Sequence, residues 1–387
     1  MKTKPKLLRT ATVATSLDIL LKGQLRFLNN HFEVIAVSGN DAHLQAVKDR
    51  EGVAVIDIPM ARIINILFDL ISLFRLYRMF KKEKPTLVHS ITPKAGLLTM
   101  TAAWLARVPI RMHTFTGLVF PTQQGLMKKI LITADKIVCK MATHVYPEGQ
   151  GVKNDLVSFQ ITSKPLKVLA NGNVNGIDTA YFATHHFSDN DKQSLRKEWN
   201  IQSEDLVFVF VGRLVGDKGI NELVTAFNNL KINPILINVQ LLLVGPYEHE
   251  LDPLKQSTLD AIYENPNIIT TGFQDDIRPF LAISDVFVFP SYREGFPNVV
   301  MQAGAMGLPS IVTDINGSNE IIQHNHNGSI IPPKDTTALT HALQQLIDNP
   351  TLRQSFAQNA RPSITSRYEQ QVVWDALLAE YQMLINN

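Results

Sequence analysis

Short apolar runs recur along the chain, separated by longer stretches in which apolar positions follow the helical period. The first half places such runs at 7–14, 33–37, 53–56, 87–89, 110–113 and 142–145, with a further short one at 167–169. The second half places them at 207–211, 239–244, 268–270, 286–289 and 310–313. Runs without polar alternation are what strands covered on both faces require. Between them, 62–80, 126–141, 221–230 and 299–306 show helical patterning, and 368–385 predicts a last helix through Val372, Val373, Leu377, Leu378, Tyr381 and Leu384. Strand and helix alternating in this way predict an α/β fold of doubly wound parallel sheets.

At 387 residues and 45% hydrophobic content the chain outgrows one core, because single cores stop growing near ~250–300 residues. The polar, patternless HHFSDNDKQS segment marks the break. Three parts are expected: a Rossmann-like domain over 1–185, a second over 186–367, and a helix over 368–387 that packs back on the first. No repeat of solenoid period and no low-complexity tract interrupts this division.

Cys139 is the only cysteine, so an intrachain disulfide and a cysteine-held structural zinc are both excluded. The basic start imitates an export signal, but Arg9, Thr10, Thr12 and Asp18 break its apolar region and make it a first strand. Asp69, Arg75 and Arg78 cut the best apolar stretch, so no segment reaches the ~18 residues of a membrane span.

The formal net charge of +2 hides an asymmetry. Residues 1–200 hold 27 Lys+Arg and 15 Asp+Glu, and the remainder holds 10 and 20, giving balances of +12 and −10. A basic first half is suited to an anionic membrane surface. The 62–80 helix sharpens this: its polar face carries Arg62, Asn65, Asp69 and Ser72, the rest is apolar, and Lys81, Lys82 and Lys84 follow. Such an element either lies on a bilayer or packs on the sheet as an ordinary crossover helix. Lys128, Lys129, Lys136 and Lys140 give the 126–141 helix a similar basic character.

Chemistry concentrates at two strand ends. In VFVGRLVGDKGINEL, Gly212, Arg213, Gly216, Lys218 and Gly219 stand between a strand and a helix. Glycines there let backbone N–H groups approach a phosphate while the two cations neutralise it. In DVFVFPSYREGFPNVVMQAGAMGLPSIVTD, Pro290 ends the strand, and a polar loop with Arg293, Glu294 and Gly295 leads into the 299–306 helix, stopped by Gly307 and Pro309. A loop at the C-terminal end of a parallel strand, beside a helix N-terminus, favours anions. Walker and GxGxxG patterns are absent, which argues against a dehydrogenase or a P-loop enzyme.

These segments, with LLLVGP, NGIDTAYF and GFQDDI, resemble the retaining, nucleotide-sugar-dependent glycosyltransferases of the GT-B fold, family four (group 1 type). The likeness extends over nearly the whole chain. HSITPKAGLL and RMHTFTG are similar to members that build capsule, O-antigen and other lipid-linked saccharides. The resemblance implies two Rossmann-like domains with an interdomain cleft, the first binding acceptor and the second nucleotide sugar. It implies transfer of a sugar, an N-acetylhexosamine among the candidates, from a UDP-sugar to a lipid-linked saccharide at the inner face of the cytoplasmic membrane. No cofactor, metal or nucleic acid is implied.

Carried over by position, the resemblance makes His113, Arg213, Lys218 and Glu294 catalytic. Arg213 and Lys218 hold the leaving diphosphate, Glu294 faces the donor sugar, and His113 lies near the reacting centre. Donor binding falls to Gly212 and to the backbone of Gly295, Phe296, Pro297 and Asn298 at the sugar, and of Val299 and Val300 at the phosphates. Two departures stand out. Gln302 occupies the position of the family's second glutamate, which accepts from ribose hydroxyls, and an amide makes only neutral bonds there. The glycine loop after the first strand is replaced by SLDILLKGQL, where Lys22 and Gly23 are the available phosphate contacts. Asp275 and Asp276 form a capping or surface pair. Two alternatives remain open: a nucleotide-sugar epimerase of the same fold, and a non-catalytic sugar-nucleotide-binding protein.

Overall fold

Each expected alternation folds into its own six-stranded, all-parallel sheet. The computed structural model describes residues 4–61, 63–232, 238–248, 250 and 252–386. Two units separate: Met1–Gly176 with Gln370–Asn387, and Ile177–Glu369. The break therefore falls before the HHFSDNDKQS segment. That segment is not a linker, because Ser188 caps a helix, Asp189–Glu198, with the Asp191 carboxylate accepting in return from the Ser188 N–H at 2.9 Å.

In the first unit the strands are β1 (Lys6–Thr10), β2 (Glu33–Ser38), β3 (Ala54–Asp57), β4 (Leu87–Ile91), β5 (Ile110–Phe115) and β6 (His144–Pro147), in spatial order β3-β2-β1-β4-β5-β6. The expected first strand is shorter than 7–14. After the Ala11 N–H bonds Val37 O, Thr12 turns its N–H to Thr92 Oγ1, and a helix, Ala14–Leu20, begins. The run at 167–169 forms no strand. Leu166, after the donor-less Pro165, keeps only a single bridge to Val145. The last helix, Gln370–Asn386, lies on this unit, where Tyr381 accepts from the buried Arg9 guanidinium and Glu380 accepts from Tyr146 Oη at 2.7 Å.

The crossover helix expected at 62–80 spans Ile66–Glu83; Arg62 lies outside the described residues. Its two halves differ. Leu76, Met79 and Phe80 are buried against the sheet, while Ile66 is 75% exposed, Leu67 73% and Phe74 57%. The helix Gly125–Met141 repeats the pattern, with Val138 and Cys139 buried and Leu126, Met127 and Ile130 exposed. Among the described residues no helix is long and apolar enough to cross a membrane.

That helix also carries Asp135 into the core, where burial raises its carboxyl from 3.8 to about 7. The folded protein keeps this proton across a window where the unfolded chain has lost it, so the group's contribution to stability falls as pH rises from about 4 to about 7. Asp135→Asn is therefore expected to stabilise the protein at pH 8 by about 1–3 kcal/mol. The gain should disappear near pH 4 in urea unfolding.

The second unit orders its strands β12-β11-β10-β7-β8-β9. They are β7 (Leu206–Val211), β8 (Val239–Val244), β9 (Ile268–Gly272), β10 (Val286–Phe289), β11 (Ser310–Thr313) and β12 (Gly328–Ile331). Every residue of β7, β8, β10 and β11 is buried, which accounts for their mainly apolar sequence, with Gln240 in β8 and Ser310 and Thr313 in β11 as buried polar residues. The central neighbours β7 and β10 are far apart in the chain, and the direction of winding reverses between them. Ligands of open α/β sheets gather outside the C-terminal ends of such a pair.

Candidate active site

Both chemically loaded loops leave this switch point, one from β7 and one from β10. After β7 the chain makes a single tight turn, Gly216–Lys218, before the helix Ile220–Asn228. Gly219 joins them at φ +73, where a Cβ would lie 2.1 Å from Pro290 O. Only glycine fits, and the close approach presses the two loops together. The Tyr292 N–H donates to Asp217 O at 2.8 Å, and Arg293 reaches the Asp217 carboxylate at 3.1 Å.

This contact brings Lys218 against Glu294 as an ion pair, each side chain about four-fifths buried. Ser291 Oγ donates to the same Glu294 oxygen at 2.8 Å, and Lys218 Nζ stands 5.4 Å from the Phe289 ring centre. Arg213 is paired too, with Glu248, which the sequence reading did not single out. Both cations expected to hold phosphate are thus paired with carboxylates.

The helix after the β10 loop spans Asn298–Ala305, one residue earlier than expected at each end. Pro297 precedes it and supplies no side-chain cap. Phe296, Pro297 and Val300 are buried, Phe296 with its ring 5.5 Å from that of Tyr368. Their side chains anchor the loop, and only backbone can serve a ligand. The Val300 N–H already donates to Pro297 O at 3.2 Å and would have to change partner. Gln302 is half-buried, and among the described residues its amide has no hydrogen-bond partner. Gly212 follows β7 directly and bonds Val244 O through its N–H at 2.9 Å. Asp276 accepts from the N–H and guanidinium of Arg278 and so acts as a local cap.

Two expected residues belong to the first unit and look different in place. His113, on β5, is 1% exposed, takes part in a 2.8 Å hydrogen bond between Nδ1 and Ser90 Oγ, and is lowered by burial to about 3. Its ring packs so closely on Gly96 that a Cβ there would lie 2.4 Å from Cε1. Burial thus disfavours its charged form. Gly23 is a packing position. At φ +82 its N–H donates to Glu51 at 3.0 Å, and a Cβ would stand 2.8 Å from the Trp374 ring, leaving it no amide for a phosphate. His89, between Arg9, Tyr381 and Thr114, is held neutral by burial and by Arg9. Among the described residues no cluster of three or more His, Cys, Asp or Glu side chains stands ready for a metal.

Two parallel six-stranded sheets with these strand orders make up the GT-B fold of glycosyltransferases. Anabaena HepE, solved in complex with UDP, matches 98% of this chain and 100% of its own with a TM-score of 0.80, at 17% identity. Residues 13–179 match Glycosyltransferase Family 4, and 191–363 match the group 1 glycosyl transferases. The capsular polysaccharide biosynthesis glycosyltransferase CapM of Staphylococcus aureus is 32% identical over 98% of this chain and 97% of its own length. An Escherichia coli UDP-Gal:α-D-GlcNAc-diphosphoundecaprenol α-1,3-galactosyltransferase is 28% identical over 88% of this chain and 86% of its own. The chain belongs to the family 4, group 1 glycosyltransferases.

Proposed function

We propose that the protein transfers a hexose or N-acetylhexosamine from a UDP-sugar to a lipid-linked saccharide, with retention of configuration and without a metal, in cell-surface polysaccharide synthesis. The observation that carries the donor half is the switch-point pair of loops, which sets Arg213, Lys218, Glu294 and an uncapped helix N-terminus on one sheet edge. In this reading Arg213 and Lys218 exchange their carboxylates for the diphosphate. Their effect grows as negative charge develops on the leaving group. Glu294, released by Lys218, accepts from sugar hydroxyls; the amides near 295–299 hold sugar and phosphate; and Gln302 meets the ribose. The acceptor hydroxyl attacks from the leaving-group face, and His113 contributes at most a neutral hydrogen bond. The name of the Escherichia coli relative, with UDP-Gal and GlcNAc-diphosphoundecaprenol in it, supports donor and acceptor class.

The acceptor half draws on the first unit's surface. Ile66, Leu67, Leu70, Ile71 and Phe74 of the 66–83 helix, with Leu126, Met127 and Ile130 of the 125–141 helix, are exposed near the N-terminal ends of crossover helices. Those ends lie at the C-terminal edge of the sheet, where acceptors of α/β enzymes approach. A band this apolar marks a surface that is covered in use. Exposed Arg75, Arg78 and Lys129 flank it, so it suits the anionic inner face of the cytoplasmic membrane, where a lipid-linked substrate resides.

Incubation with a panel of labelled UDP-sugars, bacterial lipid extract and EDTA tests the whole reading. Label entering the lipid fraction is expected. Conversion of the free UDP-sugar would indicate an epimerase, and binding without turnover a non-catalytic protein. A second expectation concerns the departure at 302: Gln302→Glu restores a charge-assisted ribose bond and should tighten UDP binding roughly five-fold in calorimetric titration. Unchanged affinity would take residue 302 out of the donor site.

A further inference from the structure

The Arg213–Glu248 pair joins the loop after β7 to the segment after β8, since Leu214 bridges to Tyr247 and its N–H bonds Pro246 O at 2.8 Å. The two partners are unequally placed: Arg213 keeps 51% of its side chain exposed, while Glu248 keeps 23%. The carboxylate is therefore the more fixed member and the guanidinium the one free to move. No second carboxylate lies within ion-pair distance of Arg213 among the described residues. Lys218 is paired in the same way, but its partner Glu294 already has a role toward the sugar; Glu248 has none.

We propose that Glu248 is a positioning residue, an exchangeable counter-ion that competes with the donor's diphosphate for Arg213. It holds the guanidinium beside the switch point. When a nucleoside diphosphate arrives, the anion of greater charge, which the guanidinium fork also grips through two oxygens, displaces it. When the product nucleotide leaves, Glu248 retakes Arg213 and speeds release. This rests on the reading of the 212–219 loop as the diphosphate grip.

The sign of the expected effect separates this role from a structural one. A residue that merely supports the loop weakens binding when replaced. Removing the competitor alone, Glu248→Gln, should tighten UDP binding about two- to five-fold, the range of a partly exposed ion pair, and lower KM for the donor without raising kcat. It should also steepen the loss of UDP affinity with salt, because the site gains net positive charge. UDP is titrated calorimetrically into wild type, E248Q, R213A and the double variant R213A/E248Q, at low and moderate salt. Tighter binding in E248Q, with the double variant no better than R213A, supports the proposal. Unchanged or weaker binding in E248Q, with R213A impaired, overturns it and leaves the donor site standing. R213A binding UDP as wild type does would remove the grip itself, and the proposal with it.

Discussion

Replacing Lys218 with alanine is expected to lower kcat by about 10²- to 10³-fold while UDP affinity falls less than about ten-fold. The asymmetry follows from where the charge appears. The bound UDP-sugar already carries a diphosphate, but the bridging oxygen gains its negative charge only as the bond to the sugar breaks. A cation fixed at that oxygen is worth more in the transition state than in the ground state. Lys218 is fixed: it stands on a one-turn segment, held by Gly219 against Pro290 and by the Tyr292 N–H on Asp217. Steady-state kinetics and UDP titration on the same variant decide the matter. A rise in KM at unchanged kcat would assign Lys218 to binding alone.

The second large effect is expected at the other unit. Leu67→Glu, Leu70→Glu and Phe74→Glu together should abolish binding to vesicles containing anionic lipid and reduce transfer to a lipid-linked acceptor at least about 100-fold. Burial of a large apolar side chain contributes about 1.5–3 kcal/mol, and three are converted to charges that an anionic surface repels. The three side chains point away from the core, so thermal stability should hardly change. Lys81, Lys82 and Lys84, first suggested by the sequence as the membrane contact, lie at the helix's far end, roughly 18 Å along its axis from Leu70 at 1.5 Å per residue. Their neutralisation should leave vesicle binding intact, whereas Arg75, Arg78 and Lys129 should carry its salt dependence. Full vesicle binding by the triple variant would return this helix to an ordinary crossover element.

What the sequence disclosed follows from how each feature is encoded. Strands β8, β10 and β11 were legible residue by residue because a strand buried on both faces needs a mainly apolar run and stops at a proline or a polar turn. The 294–302 segment was legible because a loop and the helix behind it are contiguous in the chain. β12 was not seen, for Gly328 and Ser329 leave it only two apolar residues. The Asp189–Glu198 helix was taken for a linker although its Ser188 box was present, since none of its residues is buried and no apolar period announces it. Contacts between distant residues were the least legible. Nothing local to SLDILLKGQL says that Gly23 lies under Trp374, or that Glu248 answers Arg213. The depressed value of His113 comes from burial, with Gly96 of a neighbouring helix packed against its ring. Its residue type suggests chemistry, and its buried surroundings disfavour the charged ring.

The claim on which the rest depends is that the loops after β7 and β10 form the donor site. Hydrogen–deuterium exchange of the full chain with and without saturating UDP tests it directly. Protection concentrated in residues 212–220 and 291–306 is the predicted result. Protection confined to other segments, or none at a concentration where calorimetry shows UDP bound, would contradict it.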